Sequence, residues 1–331
     1  MQVRFILRSP GTGHSLEILF NRLIEELGAG TSLEPSRLTL PHVSTGPRSV
    51  WQNMRFVSRQ SPRLTHITGD VHYVALAAAP RQTVLTIPNC VLLNRTPAWS
   101  LRFAVFWLLW YYLPIKRAAV VTVISEKTRR ELRRYIGSLA DKAVVIPCHY
   151  DPAFAFSPKS FNTSCPTILH IGTAPHKNLS RLIEAIAGLP CRLVVVGKLT
   201  AAERTLLAAQ QLDYTNRVDC SQEAVIALYE QCDLVSFVSL YEGFGLPVLE
   251  GQVVGRPVVT SLLSPMTEVG GEGACYVNPT SVADIRRGIL RVWQNDDYRN
   301  ELIAAGQRNA ANYTIERVSA QYTALYASLA P

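Results

Sequence analysis

Two carboxylates, Glu242 and Glu250, stand eight residues apart in Ser239-Leu240-Tyr241-Glu242-Gly243-Phe244-Gly245-Leu246-Pro247-Val248-Leu249-Glu250. Gly243 and Gly245 can adopt positive φ and let a ligand approach the backbone closely. Pro247 suits the first position of a helix, where its missing N–H goes unneeded. A helix opening there aims the N–H groups of Gly245, Leu246 and Val248 at the loop, and such an end binds anions. Glu250, one turn inside, can reach ribose hydroxyls, and Glu242 can reach hydroxyls further along the ligand. The chemistry predicted is recognition of a sugar joined to a diphosphate.

Other residues extend this site. Lys177 follows an apolar strand pattern and precedes a helix, where an ammonium can meet a phosphate. No Asp-x-Asp occurs in the chain, so the expectation is that no metal bridges the diphosphate and that Lys, Arg and backbone N–H groups carry its charge. Gly11-Thr12-Gly13 opens a helix after the first strand; it lacks the third glycine of a dinucleotide fingerprint, since position 16 is Leu. It reads as a plain strand–helix turn or, as the family resemblance given below implies, as a second contact to the diphosphate through Gly11 and Gly13. Asp70 and His72 follow another strand and are candidates to act on an acceptor hydroxyl or the donor sugar.

The elements that must position these residues alternate. Strand patterns fall near 3–7, 64–68, 84–87 and 119–124, then 167–171, 193–196, 233–238, 257–260 and 274–277. Helices are expected near 15–27, 125–135, 179–188, 201–211, 222–231, 248–254, 282–293, 298–312 and 314–329. β-branched strands with short loops to helices predict right-handed βαβ units and doubly wound parallel sheets. Pro152, Pro158 and Pro166, with Ser, Asn and Thr between them, mark a linker.

The motif around Glu242 and Glu250 resembles the E-x7-E signature of the family 4 retaining glycosyltransferases. His170-Ile171-Gly172-Thr173 through His176-Lys177-Asn178-Leu179 is similar to that family's "GT…RKNL" segment, and Val123–Leu132 to its "vSe.tr.eL" segment. Thr267-Glu268-Val269 with Tyr276-Val277-Asn278-Pro279 resembles its "PEV…yvdP" segment. The resemblance implies an α/β GT-B fold, with two Rossmann-like doubly wound domains facing a cleft and a C-terminal helix crossing back. The expected parts are an acceptor-binding domain (1–155), a nucleotide-sugar-binding domain (156–312) and a returning helix (313–331). It also implies a sugar moved with retention from a UDP- or GDP-linked donor to a hydroxyl, in polysaccharide or glycolipid synthesis. Glu250 would then hold the ribose, and Glu242 the donor sugar and the charge on its anomeric carbon. Lys177, Thr173, Gly243, Phe244, Gly245 and Leu246 would complete the donor site. Thr173 stands where many members have Arg. Thr86-Ile87-Pro88-Asn89-Cys90 stands where many have a His-Asp pair, so a non-catalytic binding or scaffold protein remains the alternative.

Composition sets the setting. Seven cysteines with no C-x-x-C suit reduced thiols, and Met1–Arg8 lacks the long apolar core of a secretory signal. A cytoplasmic protein is expected. Residues 1–160 carry 20 Lys and Arg against 9 Asp and Glu, whereas residues 161–331 carry 13 against 16. The basic half suits a lipid-linked or sugar acceptor and peripheral contact with an anionic membrane at its inner face; no aromatic–basic motif points to nucleic acid. Residues 99–113 are apolar and aromatic but shorter than the roughly 20 residues a spanning helix needs. They read as a core helix ending at Pro114 or as an interfacial one. Arg129, Arg130, Arg133 and Arg134 form a stripe that is either a solvated face or a seat for an anionic acceptor.

Overall fold

The computed structural model describes residues 1–10, 15–60 and 64–329. The chain divides into two compact units, Met1–Asp151 with Ile315–Pro331, and Pro152–Thr314.

Among the described residues, the first unit holds strands β1 (Gln2–Leu7), β2 (Glu34–Thr39), β3 (Leu64–Ile67), β4 (Thr83–Ile87), β5 (Val120–Val123) and β6 (Ala143–Val145). They form one sheet in the order β2-β1-β3-β4-β5-β6, with every pair parallel. The second unit holds β7 (Thr167–Ile171), β8 (Arg192–Val196), β9 (Asp213–Arg217), β10 (Leu234–Phe237), β11 (Val258–Ser261) and β12 (Cys275–Val277). Their order is β12-β11-β10-β7-β8-β9, again all parallel. Both are doubly wound sheets. Each reverses its winding once, between β1 and β3 in the first unit and between β7 and β10 in the second. In such sheets the crevice beyond the carboxyl ends of the strands at that reversal is where ligands bind.

The central strands β3, β4, β10 and β11 are buried at every residue, which is why their sequences read as mostly apolar and β-branched runs without alternation. The edge strands β2 (EPSRLT) and β9 (DYTNR) are polar and half-exposed, and the sequence pattern misses both, along with short β6 and helix Pro47–Ser58.

Helix Ile315–Ala327 belongs to the first unit. Its Val318, Tyr322 and Tyr326 join Phe5, Phe20 and Leu23 in one core cluster. His66 on β3 ties the helix down, with Nδ1 2.6 Å from the Tyr326 hydroxyl and Nε2 2.6 Å from Thr86 Oγ1. Burial pushes the His66 pKa down to about 3.

Residues 99–113 divide their behaviour. Helix Leu101–Phe106 passes into a π-helical stretch, Trp107–Tyr112, and then helix Leu113–Arg117. The wider π turn shifts the helical phase. Trp110 and Tyr111 enter the core, while Trp99, Leu101, Val105 and Leu108 stay exposed. No helix among the described residues is long and apolar enough to cross a membrane.

Candidate active site

In the second unit, the loops after β7 and β10 meet at the winding reversal. Gly172 leaves β7 at φ +93°, a conformation that strains any other residue, and a Cβ there would crowd Lys177 Cε at 3.0 Å. A short turn, Pro175–Lys177, then leads to Asn178 in the left-handed region at φ 66°. The Asn178 amide donates to the Val238 carbonyl at 2.9 Å and the Pro279 carbonyl at 2.7 Å. Leu240 N–H donates to the His176 carbonyl at 2.7 Å. These bonds fix the two loops together, and their charged groups meet: Lys177 Nζ lies 2.8 Å from Glu242 Oε1. The ammonium also sits 4.6 Å from the centre of the Phe237 ring, a cation–π contact. Both side chains remain partly open, at 19% and 13% exposure.

The loop between the glutamates differs in part from expectation. Gly245 takes φ +118°, whereas Gly243 is not among the positive-φ glycines. The helix runs Leu246–Val254, so Pro247 is its second residue and not its first. Val248 N–H is already bonded to the Gly245 carbonyl at 3.0 Å, which removes it from the anion donors. The N–H groups of Gly245 and Leu246 have no partner among the described residues. The Phe244 side chain is buried, edge-on to Tyr313 at 5.9 Å; it anchors the loop and leaves only its backbone toward a ligand.

Glu250 faces a residue that sequence reasoning missed. The Tyr229 hydroxyl donates to Glu250 Oε2 at 2.5 Å. Tyr229 is wholly buried, and burial first, then Glu250's charge, hold its proton far above the ordinary tyrosine range. Tyr229 therefore orients the carboxylate as a fixed donor. Thr173 Oγ1 donates to the Lys198 carbonyl at 2.9 Å, and Gly197, at φ +131°, leaves room for Thr173. That interlock brings the loop after β8, with exposed Lys198, beside the loop after β7.

Beneath these loops, His170 Nδ1–H donates to the Ser236 carbonyl at 3.1 Å, while His170 Nε2 and Ser236 Oγ are buried without partners. Burial, with Lys177's charge acting the same way, lowers the His170 pKa to about 4. The ring is neutral.

In the first unit, Arg8 directly follows β1 and forms ion pairs with Glu17 and, at 3.2 Å, with Asp70 beyond β3. Gly69, at φ +76°, gives Arg8 space that a Cβ would take, 2.9 Å from its Cδ. A cavity of about 260 Å³ opens here, at the winding reversal of this sheet, lined by Arg8, His42, Ser44, Asp70, Arg102 and Trp110 among others. Trp110 Nε1 donates to the Asp70 carbonyl at 2.9 Å.

His72 lies deeper than Asp70. Its side chain is fully buried and packs edge-on to Tyr111 at 5.3 Å. Its Nδ1–H donates to the Trp110 carbonyl at 2.9 Å, and burial lowers its pKa. It is not among the residues lining the cavity, and its Nε2 is buried without a partner among the described residues. Gly11 and Gly13 lie outside the described residues.

Pro88 and Asn89 are built into the frame. Asn89 Oδ1 accepts from Val91 N–H at 3.0 Å, and the Pro88 carbonyl accepts from Thr128 Oγ1 at 3.2 Å. On the arginine stripe, Arg129 pairs with Glu126 at 2.9 Å and Arg133 with Asp141 at 3.5 Å, as a solvated face would.

Comparison with known proteins bears on both units. Residues 153–309 match the family model for glycosyl transferases group 1, and residues 6–154 match that for glycosyltransferase family 4. A serotype-specific mannosyltransferase of Escherichia coli is 29% identical over 60% of this chain and 27% of its own. The O-antigen chain mannosyltransferase B of Escherichia coli is 27% identical over 62% of this chain and 59% of its own. The chain thus spans between about a quarter and three-fifths of the length of these curated relatives. Among solved structures, sucrose-phosphate synthase from Thermosynechococcus elongatus superposes with a TM-score of 0.81 at 17% identity, covering 99% of this chain and 98% of that one. Anabaena HepE, crystallised with UDP and glucose, superposes with a TM-score of 0.79 at 16% identity, covering 99% and 100%. The fold is that of the GT-B enzymes.

Proposed function

The chain belongs to glycosyltransferase family 4, and from that membership we propose that it transfers a sugar, with retention, from a nucleotide-diphosphate donor to an acceptor hydroxyl. The observation that carries the reading is the Lys177–Glu242 pair at the winding reversal of the second sheet, with the Tyr229-oriented Glu250 on the helix that follows.

In this reading Glu250 accepts from the ribose hydroxyls. The diphosphate lies against the free N–H groups of Gly245 and Leu246 and draws Lys177 partly from Glu242. Lys198 on the adjoining loop adds a second cation, so the leaving group is stabilised without a metal. Glu242 then turns its acceptor oxygens to the donor-sugar hydroxyls and faces the positive charge that grows on the anomeric carbon. The departing diphosphate oxygen takes the proton of the attacking hydroxyl on the same face, which preserves configuration. The acceptor, a sugar or a lipid-linked sugar, enters the cavity of the first unit, where Asp70, held by Arg8, accepts from one of its hydroxyls. His72 is a positioning residue behind Trp110. The HepE complex supports a UDP-type donor, and the mannosyltransferase relatives support a hexose. Five of the seven cysteines are packed as buried thiols, which supports a reducing, cytoplasmic setting.

Calorimetry with a panel of UDP-, GDP-, ADP- and TDP-sugars tests the donor site. One selective binder is expected, and Glu250→Ala should weaken its binding measurably while the protein stays folded. No binding to any member refutes the reading. The engaged Asn89 carboxamide favours one second reading, a protein that binds the donor but does not transfer it. Tight binding with neither transfer nor hydrolysis would select it.

A further inference from the structure

The cavity in the first unit is lined in part by a strongly basic stretch of the chain. From residue 35 to residue 125 the chain has ten Lys and Arg but a single acid, Asp70, and Asp70 is taken by Arg8. Two parts of this stretch flank the cavity. On one side, His42, Val43 and Ser44 line it and lead within a few residues into helix Pro47–Ser58. The exposed stripe of that helix is Arg48, Trp51, Arg55, with Arg59 just beyond. Trp51 is 58% exposed and lies under the Arg55 guanidinium at 5.2 Å. On the other side, Arg102 and Phe106 line the cavity. They belong to a segment that exposes Trp99 at 89% and Leu101 at 82%, with Val105 and Leu108 also open. None of Arg48, Arg55, Arg59, Arg95 and Arg102 is in an ion pair among the described residues.

Large apolar side chains left in water beside unneutralised arginines form a combination that ordinary surfaces avoid. Tryptophan and arginine together match the interface of a bilayer, where the indole sits at headgroup depth and guanidinium groups meet lipid phosphates. On helix Glu126–Ile136, by contrast, Arg129 and Arg133 are paired and no large apolar side chain is exposed beside them. We propose that the rim formed by Trp51 with Arg48 and Arg55, and by Trp99 with Leu101 and Arg102, seats the first unit on an anionic lipid bilayer. The mouth of the cavity then lies at headgroup level, where a lipid-linked acceptor would be presented; that last clause rests on the acceptor reading above, and the membrane contact does not.

The test is co-sedimentation of the full chain with phosphatidylcholine vesicles, with and without phosphatidylglycerol, at low and high salt. Partitioning is expected only with phosphatidylglycerol, weakening as salt screens the attraction. Arg48→Ser/Arg55→Ser should lower it by about 30-fold, from roughly a tenfold change per 1.4 kcal/mol and about one such unit or less per charge. Trp99→Ser/Leu101→Ser should lower it by at least about tenfold, and the blue shift of tryptophan emission on binding should shrink in Trp99→Phe. These side chains are exposed, and nucleotide-sugar calorimetry on the same variants should match the parent. No partitioning at low salt, equal partitioning onto pure phosphatidylcholine, or variants that bind like the parent would each overturn the proposal. If the parent partitions but binds no nucleotide sugar, the transferase reading fails and the membrane contact stands.

Discussion

Removing one oxygen atom from Tyr229 gives the sharpest test of the donor site. The ring packs edge-on against Phe154 at 5.3 Å and its hydroxyl donates to Glu250 at 2.5 Å. Phe at this position keeps every ring contact and deletes only the donor. A hydrogen bond to an ionised acceptor contributes about 1.5–3 kcal/mol. In Tyr229→Phe the Glu250 carboxylate, only half-buried, regains water in place of the phenol. The loss of fold stability should therefore be about 1 kcal/mol, a shift in Tm of roughly 2–4 °C. Donor binding should suffer more, because the carboxylate must now be ordered as the ribose arrives. The full worth of the bond bounds the rise in Kd at roughly 10- to 150-fold. Calorimetry with the donor found in the panel measures it, and a double-mutant cycle isolates it: in a Glu250→Ala background, Tyr229→Phe should change nothing further. Donor affinity within twofold of the parent, or an equal loss in both backgrounds, would refute the assignment of Tyr229 as the residue that orients Glu250.

Further tests address other parts of the molecule. Lys177→Ala should reduce kcat by at least about 100-fold while Lys177→Arg recovers part of it, since a cation facing a leaving group acts mainly in the transition state; equal kcat in all three would remove Lys177 from the reaction. His66 and His170 titrate at about 3 and about 4 in the fold against 6.5 for the free group, so the unfolded chain binds the extra protons. Their contribution to stability is whole above pH 6.5 and declines as pH falls toward the folded values, by about 1.4 kcal/mol per pH unit for each ring. Urea midpoints followed by tryptophan emission should fall between about pH 7 and about pH 5, and a flat profile would contradict the burial of these rings as neutral groups. Gly273→Ala should destabilise the second unit by about 1–3 kcal/mol or more, because a Cβ there would lie 2.3 Å from the Gly306 Cα; a calorimetric scan that leaves that unit's Tm unchanged would show that the two backbones part easily.

Much of the fold was legible because buried parallel strands declare themselves. β4, Thr-Val-Leu-Thr-Ile, and β10, Leu-Val-Ser-Phe, need no alternation when both faces are covered. β2 and β9 were not legible, since an edge strand exposes one side and its polar residues read as loop. At the site, the glutamate pair and Lys177 stood out by type and spacing, but the contact between Lys177 and Glu242 did not. It depends on Asn178 clasping two distant carbonyls. Tyr229 left no signal beyond being a tyrosine in a helix, because its role comes from sharing a buried space with a residue 21 positions away. The surroundings of His72 were hidden for a different reason. A histidine just past a strand fits a catalytic loop, but the Trp110–Tyr111 turn closes over it, and that turn depends on a π-helical stretch that periodicity does not reveal.

The placement of helix Ile315–Ala327 sets an order of events during synthesis. The first unit is interrupted after Asp151 and resumes only at Ile315, and His66 and Phe5 wait for Tyr326 and Tyr322 to fill the space beside them. As the chain leaves the ribosome, the part made first is finished last. The second unit, continuous in sequence, has all of its strands in hand sooner and can close while its predecessor is still an open sheet. A nascent chain stalled short of the final helix would therefore show a protease-resistant second unit attached to a cleavable first one.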